Sequence, residues 1–266
     1  MDDAGAGAGM PDRLEYYWRV FATGLCFVSF GIGGLFLGVL VFPLINIMLR
    51  QRQPRIRCAR AVLRVTFRAF VGMMHALGVL RYEIIGLEKL QRQGLLILAN
   101  HPTLIDTVFL MALVKRADCI VKAGLWNNPY MRGPVRAAGY INNDQGQQLV
   151  ADCIRSLQDG NNLIIFPEGT RTEKNAAICM KRGAANIAVR GARNITPVLI
   201  HCAPMTLGKG EKWWQIPPRR AQFRIEVLDD IPIAGFIDAA ASEVMAARRL
   251  TDYLQSYFTQ EYQRHA

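Results

Sequence analysis

A run of thirty residues without a charge, Val20 to Leu49, constrains this chain more than any other feature. A membrane-spanning helix needs about 20 apolar residues, and thirty residues at about 1.5 Å each extend roughly 45 Å against a hydrocarbon core of about 30 Å. We therefore expect the run to tilt in a bilayer, or to break near Gly31–Gly34 or at Pro43 and return to the same face. The alternative is a buried core helix.

Basic residues are concentrated around this run. From Tyr16 to Tyr82 there is no acidic residue, and nine arginines supply most of the formal net charge of +11. Arginines that follow an apolar span favour the cytoplasmic side of a membrane. Four of them recur at helical spacing, so on a helix they form a stripe that would lie on an anionic membrane surface: Arg57, Arg60, Arg64 and Arg68. The alternative is a solvated helix face.

The length of 266 residues and a hydrophobic content of 51% allow the core of one sizeable domain. We divide the chain into a short polar N-terminus (1–19), a membrane-anchoring helical region with the basic amphipathic helix (20–80) and a main domain (81–266). The six cysteines are widely spaced, which favours small core residues in a reducing compartment over a metal site or disulfides. No nucleic-acid motif accompanies the basic charge, so we expect no such partner.

Beyond residue 80, short apolar runs alternate with helical patterns. This alternation predicts an α/β fold, with a mixed, largely parallel sheet flanked by helices. Helices are predicted at 147–158, 181–190 and 239–262. The predicted strands are 82–85, 95–99, 119–122, 140–142, 163–166, 196–201 and 223–228.

A polar corner interrupts the apolar pattern in LLILANHPTLIDTVFL, residues 95–110. A strand ends at Ala99, and a helix is predicted from Leu104 onward. Open α/β sheets bind ligands at the carboxyl ends of their strands. With His101 in the turn and Asp106 in the first turns of the helix, the carboxylate can fix the imidazole tautomer and leave the other ring nitrogen free to accept a proton. A capped turn without chemistry is the alternative for this corner taken alone, and equally for the second polar island described next.

A second polar island follows the strand predicted at 163–166, in the sequence IIFPEGTRTEK. Arg171 is always protonated and can hold a phosphate or carboxylate through two donors. Glu168 can accept hydrogen bonds from substrate hydroxyls or hold an arginine. This chain has two such polar islands at predicted strand ends, together with an apolar anchor. This combination favours a functional site over two unrelated turns.

These motifs resemble the glycerolipid acyltransferases of the lysophosphatidic acid acyltransferase type. The family's first block, His-x4-Asp, is matched by His101 and Asp106, and its third, Phe-Pro-Glu-Gly-Thr-Arg, by residues 166–171. The fourth block, an apolar stretch around a proline, resembles residues 196–200. The resemblance covers about residues 80–230.

The resemblance implies a membrane-bound O-acyltransferase that moves an acyl chain from acyl-CoA or acyl carrier protein to the hydroxyl of a lysophospholipid-like acceptor. His101 would be the general base and Asp106 would orient it, a form of help worth about 10² to 10⁴ in rate. No metal and no cofactor beyond the acyl thioester is expected. The enzyme would lie on the cytoplasmic face of the inner cell membrane, anchored by residues 20–49. The implied substrate-binding residues are Glu168, Gly169, Thr170, Arg171, Lys122 and Lys181.

One departure from the family pattern concerns the acceptor. The second family block usually ends in an arginine that is implicated in binding the acceptor's phosphate, and Gln145 stands at that position here. A lyso-aminolipid or a specialised lipid intermediate therefore stays open as acceptor. A membrane lipid-binding protein without turnover is the alternative of another class. The loop 209–220, with Trp213 and Trp214, is either a second interfacial contact or a packed tryptophan pair.

Overall fold

The computed structural model describes residues 10–128, 131–144, 146, 148–172 and 178–264. A π-helical turn covers Leu37–Val41, and a 3₁₀ turn covers Leu87–Gln91. The α-helices in the described residues are α1 Met10–Phe36, α2 Phe42–Met48, α3 Arg52–Ala76, α4 Asp106–Leu113, α5 Ala123–Asn127, α6 Arg132–Ala137, α7 Gln148–Gln158, α8 Gly183–Gly191, α9 Ala234–Asp238 and α10 Glu243–Arg264. The strands are β1 Leu80–Ile85, β2 Leu96–Ala99, β3 Ala117–Val121, β4 Ile141–Asn142, β5 Asn162–Ile165, β6 Ile195–Ala203 and β7 Ala221–Val227.

The seven strands form one sheet in the order β1-β7-β6-β2-β5-β3-β4. The five strands from β6 to β4 run parallel to one another. Strand β7 pairs antiparallel with β6, and β1 pairs parallel with β7, so these two strands run in the opposite direction. The prediction of a mixed, largely parallel sheet flanked by helices is confirmed.

Helices cover both faces of the sheet, and the central strands are apolar on both sides, as expected for a buried parallel sheet. Side chains of β2 alternate between the two faces. Ile97 and Ala99 join a core with α3 and α4, whereas Leu96 and Leu98 join a core with α7, α8 and α10. The last helix was predicted at 239–262 and begins four residues later, at Glu243. A separate short helix, α9, ends at Asp238 just before the predicted start.

The N-terminal apolar run is helical from Met10 to Met48. The expected break at Gly31–Gly34 or at Pro43 is not found. Pro43 has no N–H and cannot donate a hydrogen bond to the preceding turn. That preceding turn is the π-helical one, which ends just before α2, and α2 carries Pro43 near its start. The chain reverses later, between α2 and α3, where Leu49 is extended.

Helices α1 and α2 have one face packed on the protein and the other exposed. On the packed face, Ala22, Cys26 and Phe42 are buried, and the ring of Phe30 contacts Phe70 on α3 at 5.2 Å between centroids. Arg13–Met48 is long and apolar enough to cross a membrane, and only 17% of its most apolar window is buried. The exposed face carries large apolar side chains over its whole length: Leu14, Tyr17, Trp18, Phe21, Leu25, Val28, Ile32, Leu35, Phe36, Val39, Leu40, Leu44, Ile47 and Met48.

Helix α3 lies across the sheet, and its arginine stripe is not one exposed surface. Arg60 is buried and pairs through Nη2 with Oδ2 of the buried Asp118 at 2.7 Å. Its Nε donates to the carbonyl of Ala138 at 2.8 Å. The prediction that Arg60 lies on a membrane surface is therefore wrong, because helical spacing does not reveal which face meets the sheet. Arg57 and Arg68 are exposed.

Candidate active site

The sheet order brings the predicted site residues to one edge. Strands β2, β5 and β3 are adjacent and parallel, so their carboxyl ends lie side by side. His101 follows β2, residues 166–171 follow β5, and Lys122 follows β3. The two polar islands, some 60 residues apart in sequence, thus meet at the edge where open α/β sheets bind ligands.

His101 and Asp106 form a dyad. Nδ1 of His101 lies 2.9 Å from Oδ2 of Asp106, and the carboxylate is fully buried while the imidazole is 16% exposed. Within the described residues no hydrogen-bond partner contacts the other ring nitrogen, Nε2. The carboxylate therefore selects the tautomer with the proton on Nδ1, and Nε2 is left as the acceptor.

The Asp106 carboxylate is held by Thr103 as well as by His101. The backbone N–H of Thr103 donates to Oδ2 at 2.6 Å, and its hydroxyl donates to Oδ1. Burial raises the pKa of Asp106, and the hydrogen bonds from His101 and Thr103 oppose this rise. Helix α4 begins at Asp106 rather than at the predicted Leu104, because the turn before it is closed by these side-chain contacts.

The second island clamps the backbone of His101 from both sides. Oε1 of Glu168 accepts a hydrogen bond from the N–H of His101 at 2.9 Å, and the N–H of Thr172 donates to the carbonyl of His101 at 2.8 Å. Oε2 of Glu168 accepts from the Thr172 hydroxyl at 2.7 Å. The ring of Phe166 stacks on the imidazole at 4.2 Å between centroids. Glu168 is buried, and both of its oxygens contact the protein.

Arg171 joins the second island to the loop after β6. Its Nη1 donates to the carbonyl of Leu207 at 3.0 Å and to that of Gly208 at 2.8 Å. The same Leu207 carbonyl accepts from the N–H of Leu104 at 3.0 Å. The guanidinium is half-buried and has five donors, so these two contacts leave N–H groups for an anionic ligand.

The remaining predicted binding residues lie around this edge. Gly169 has a φ of +70°, and a Cβ there would lie 2.8 Å from Nζ of Lys181, so the lysine amine packs against the glycine. Thr170 and Lys122 are exposed. Gln145, the departure from the family's second block, lies outside the described residues.

Two buried polar residues at the site, Asn100 and Thr103, were not predicted as site residues from the sequence. Asn100 donates to the carbonyl of Ile200 at 2.9 Å and accepts from its N–H at 2.7 Å, which ties the end of β2 to β6. The spacing Thr103-x-x-Asp106 is similar to that of a capping box, and this signal was available in the sequence. The contact of Asn100 with Ile200 depends on β2 and β6 being neighbours in the sheet, and nothing in the sequence around Asn100 predicts it.

Trp213 and Trp214 are partly exposed and also packed together. Their rings lie 5.5 Å apart at 87°, and Trp213 lies 6.0 Å from Phe27 of α1. A Cβ on Gly24 would approach the Trp213 ring to 3.1 Å. The pair therefore joins the loop after β6 to the N-terminal helix, with 39% of Trp213 and 47% of Trp214 still exposed.

The protein-family model described as Acyltransferase matches residues 81–201 of this chain. A candidate 1-acyl-sn-glycerol-3-phosphate acyltransferase of Caenorhabditis elegans, acl-2, is 29% identical over 60% of this chain and 59% of its own length. The 1-acyl-sn-glycerol-3-phosphate acyltransferase of Pseudomonas aeruginosa is 27% identical over 45% of this chain and 49% of its own length. The chain thus spans about half to three fifths of these relatives.

The fold is similar to that of a solved acyltransferase. The crystal structure of the 1-acyl-sn-glycerophosphate acyltransferase PlsC from Thermotoga maritima superposes with a TM-score of 0.67 over 95% of this chain and 98% of that chain. Sequence identity is 16%, so this likeness concerns the fold. The near-complete coverage includes the N-terminal helices as well as the sheet.

Proposed function

We propose that this chain, whose residues 81–201 match the acyltransferase family model, transfers a fatty acyl group from an acyl thioester to the hydroxyl of a lysophospholipid-like acceptor. The observation that carries the proposal is the dyad at the sheet edge. Nδ1 of His101 is 2.9 Å from a fully buried carboxylate, and Nε2 has no hydrogen-bond partner in the described part of the chain. A general base for a hydroxyl substrate needs this arrangement.

In the proposed reaction, Nε2 of His101 takes the proton of the acceptor hydroxyl as the oxygen attacks the thioester carbonyl carbon. The carbon–sulfur bond then breaks, and the proton on Nε2 passes to the departing thiolate. The products are an ester and a free thiol. Asp106 stabilises the imidazolium between the two proton transfers. Because a thioester is already activated, no acyl-enzyme intermediate is required.

The donor is an acyl-CoA or an acyl carrier protein, and the basic groups around the edge suit the phosphates of coenzyme A or an acidic carrier protein. Arg171 keeps donors free beyond its contacts with the loop after β6, and Lys181 packs against Gly169 close by. We assign Arg171 to the anionic head group of the acceptor, and Lys122 and Lys181 to the anionic groups of the substrates.

The exposed apolar face of α1 and α2 supports an association with the membrane. A continuous stripe from Leu14 to Met48 would remain in water if the protein were soluble. The arginines that follow this stripe support the cytoplasmic face of the inner cell membrane. A site at that surface can receive a lysolipid from the bilayer and a soluble acyl thioester from the cytoplasm.

Gln145 stands where the family usually has an arginine, which favours an acceptor other than lysophosphatidic acid, such as a lyso-aminolipid. The complete dyad argues against a lipid-binding protein without turnover, since a binding pocket needs no carboxylate-oriented imidazole.

Release of free thiol from acyl-CoA tests the proposal, with purified full-length protein in mixed micelles. A panel of lysophosphatidic acid, lysophosphatidylcholine and a lyso-aminolipid should reveal acceptor-dependent release, with the esterified product detected by mass spectrometry. Release independent of every acceptor would point to hydrolysis. No release with acyl-CoA or with acyl carrier protein would contradict the assignment as an acyltransferase.

A further inference from the structure

A second basic concavity lies away from the dyad, between α2, the start of α3 and α6. Its volume is about 410 Å³. Four arginines contribute to its wall, two from the start of α3 and two from α6: Arg52, Arg55, Arg132 and Arg136. They come from segments some 80 residues apart, so only the fold brings them together. None of the pocket residues belongs to the edge that carries His101.

The charge of this pocket is not compensated within the described residues. No acidic side chain is part of its wall, and none of the four arginines forms an ion pair with a described carboxylate. Arg136 lies over the ring of Trp126 at 5.9 Å, a contact that orients the guanidinium without neutralising it. Like charges facing one cavity repel each other, and an anion bound between them relieves that repulsion.

The pocket also has an apolar side that continues onto the exposed face of α2. Phe42, Pro43 and Ile56 contribute to its wall, beside Asn46. On the same short helix, Leu44, Ile47 and Met48 are 51%, 76% and 71% exposed. Guanidinium groups and an apolar surface thus adjoin at the end of the apolar stripe. A phosphate with attached acyl chains has the matching arrangement of charge and hydrocarbon.

Close backbone packing fixes the walls of this pocket. A Cβ on Gly133 would lie 3.3 Å from the Cα of Gly38, so α6 and the π-helical turn approach as closely as two glycines allow. Gly139, with a φ of +60°, packs on the Ile56 side chain in the same way. The arginines of α6 are therefore held in a set position relative to those of α3.

We propose that this pocket binds the phosphate of the head group of an anionic membrane phospholipid, as a site separate from the acyl-transfer edge. Arginine suits this ligand because its planar fork donates two hydrogen bonds to phosphate oxygens. The bound lipid would fix the depth and orientation of the N-terminal helices at the bilayer surface. The proposal relies on the membrane placement given above but not on the acyl-transfer chemistry.

Native mass spectrometry of the full-length protein in neutral detergent tests this site. Equal amounts of phosphatidylglycerol and phosphatidylcholine with identical acyl chains are added, and the retained lipid is counted. Wild type should retain one phosphatidylglycerol in preference to phosphatidylcholine. The double variant Arg132→Gln/Arg136→Gln should lower this retention at least about tenfold. Each charge-assisted hydrogen bond from an arginine to the lipid phosphate contributes a large share of the affinity for the lipid.

The matched control is Lys115→Gln/Arg248→Gln, which removes two exposed positive charges elsewhere and should bind as wild type. Equal loss in the control would show non-specific attraction and overturn the site. Displacement of the lipid by coenzyme A or by inorganic phosphate at equal concentration would assign the pocket to a soluble phosphate ligand instead. Thiol release in the double variant, measured in neutral micelles, should stay near wild type, which separates this site from the reaction.

Discussion

Oε1 of Glu168 accepts a hydrogen bond from the backbone N–H of His101 at 2.9 Å, across 67 positions of sequence. The carboxylate of the second island therefore positions the imidazole of the first. Glu168 was expected to accept hydrogen bonds from substrate hydroxyls or to hold an arginine. In the structure both of its oxygens contact the protein, and Oε2 accepts from the hydroxyl of Thr172. In the proposed reaction, Glu168 would therefore act through His101.

Substitution of Glu168 should distinguish a role in positioning His101 from a role in binding substrate. Glu168→Ala removes the acceptor for the His101 N–H, and a displacement of the base by about 1 Å can cost on the order of 10²-fold in rate. We expect kcat to fall with both KM values little changed. Glu168→Gln should recover most of the rate, since its amide oxygen still accepts from His101. A larger change in acceptor KM than in kcat would assign Glu168 to the substrate.

Loss of the imidazole should abolish acyl transfer without unfolding the protein. His101→Ala removes the base, and a decrease of about 10² to 10⁴ in kcat is expected. Asp106→Asn should keep a small residual rate, because the imidazole survives but loses its charged partner. Thiol release and circular dichroism are measured together, with the exposed His75→Ala as control. Thiol release near wild type in His101→Ala would contradict the mechanism.

Replacement of Arg171 should act mainly on the acceptor. Arg171→Ala removes one charge-assisted contact of about 1.5 to 3 kcal/mol, so the acceptor KM should rise about tenfold or more while the donor KM changes less. Arg171→Lys keeps the charge but cannot reproduce the two contacts of Nη1 with Leu207 and Gly208. If both substrates are affected equally, the residue only holds the loop after β6.

The buried pair of Arg60 and Asp118 should be required for stability. Arg60→Met leaves the buried carboxylate of Asp118 without its charged partner, and breaking one side of such a pair costs about 3 to 5 kcal/mol. The exposed Arg57, one turn earlier on the same helix, provides a matched control in Arg57→Met. Denaturant unfolding in detergent compares the two variants. Similar unfolding midpoints would refute a structural role for Arg60.

An acid-sensitive contribution to stability is expected at Asp230. A bidentate hydrogen bond from Arg92, at 2.6 and 2.8 Å, lowers the pKa of this carboxyl below its usual value. The folded pKa is thus below the unfolded one, so the contribution is present above about pH 4 and is lost as pH falls through the lower folded value.

Because solvent reaches both partners of this ion pair, its contribution should be no more than about 1 kcal/mol. Thermal unfolding of wild type and Asp230→Asn should differ at neutral pH, and the difference should shrink from about pH 4 downward and vanish below the folded pKa of Asp230. The neighbouring Asp229, whose side chain is 95% exposed, supplies the control Asp229→Asn. A difference independent of pH would indicate that the charge is not responsible.

The strands could be predicted from the sequence because each is a short apolar run between polar segments. All seven predicted strands lie within two residues of the observed bounds. The reversed direction of β1 and β7 could not be predicted, since strand direction depends on which strands become neighbours. The same limit applies to Glu168, whose partner is set by the adjacency of β2 and β5.

The candidate site residues were predicted from motifs, whereas their contacts could be read only from the fold. Spacing placed His101 and Asp106 on either side of a helix start, and the carboxylate reaches the imidazole as expected. For Arg60, the same helical spacing was compatible with a solvated stripe or with a sheet contact. A choice between these depends on Asp118, which lies 58 positions later in the chain and becomes its partner only in the folded protein.

Helix α3 determines how this protein can be produced. The family match begins at residue 81, but Leu63, Val71 and Met74 of α3 belong to the same core as Phe109 and the sheet. A truncated protein that starts at residue 81 would therefore expose this core to water. Retaining α3 but omitting α1 would uncover Phe70, which packs on Phe30. A detergent-free preparation of the folded protein thus requires surface redesign of the N-terminal helices rather than their deletion.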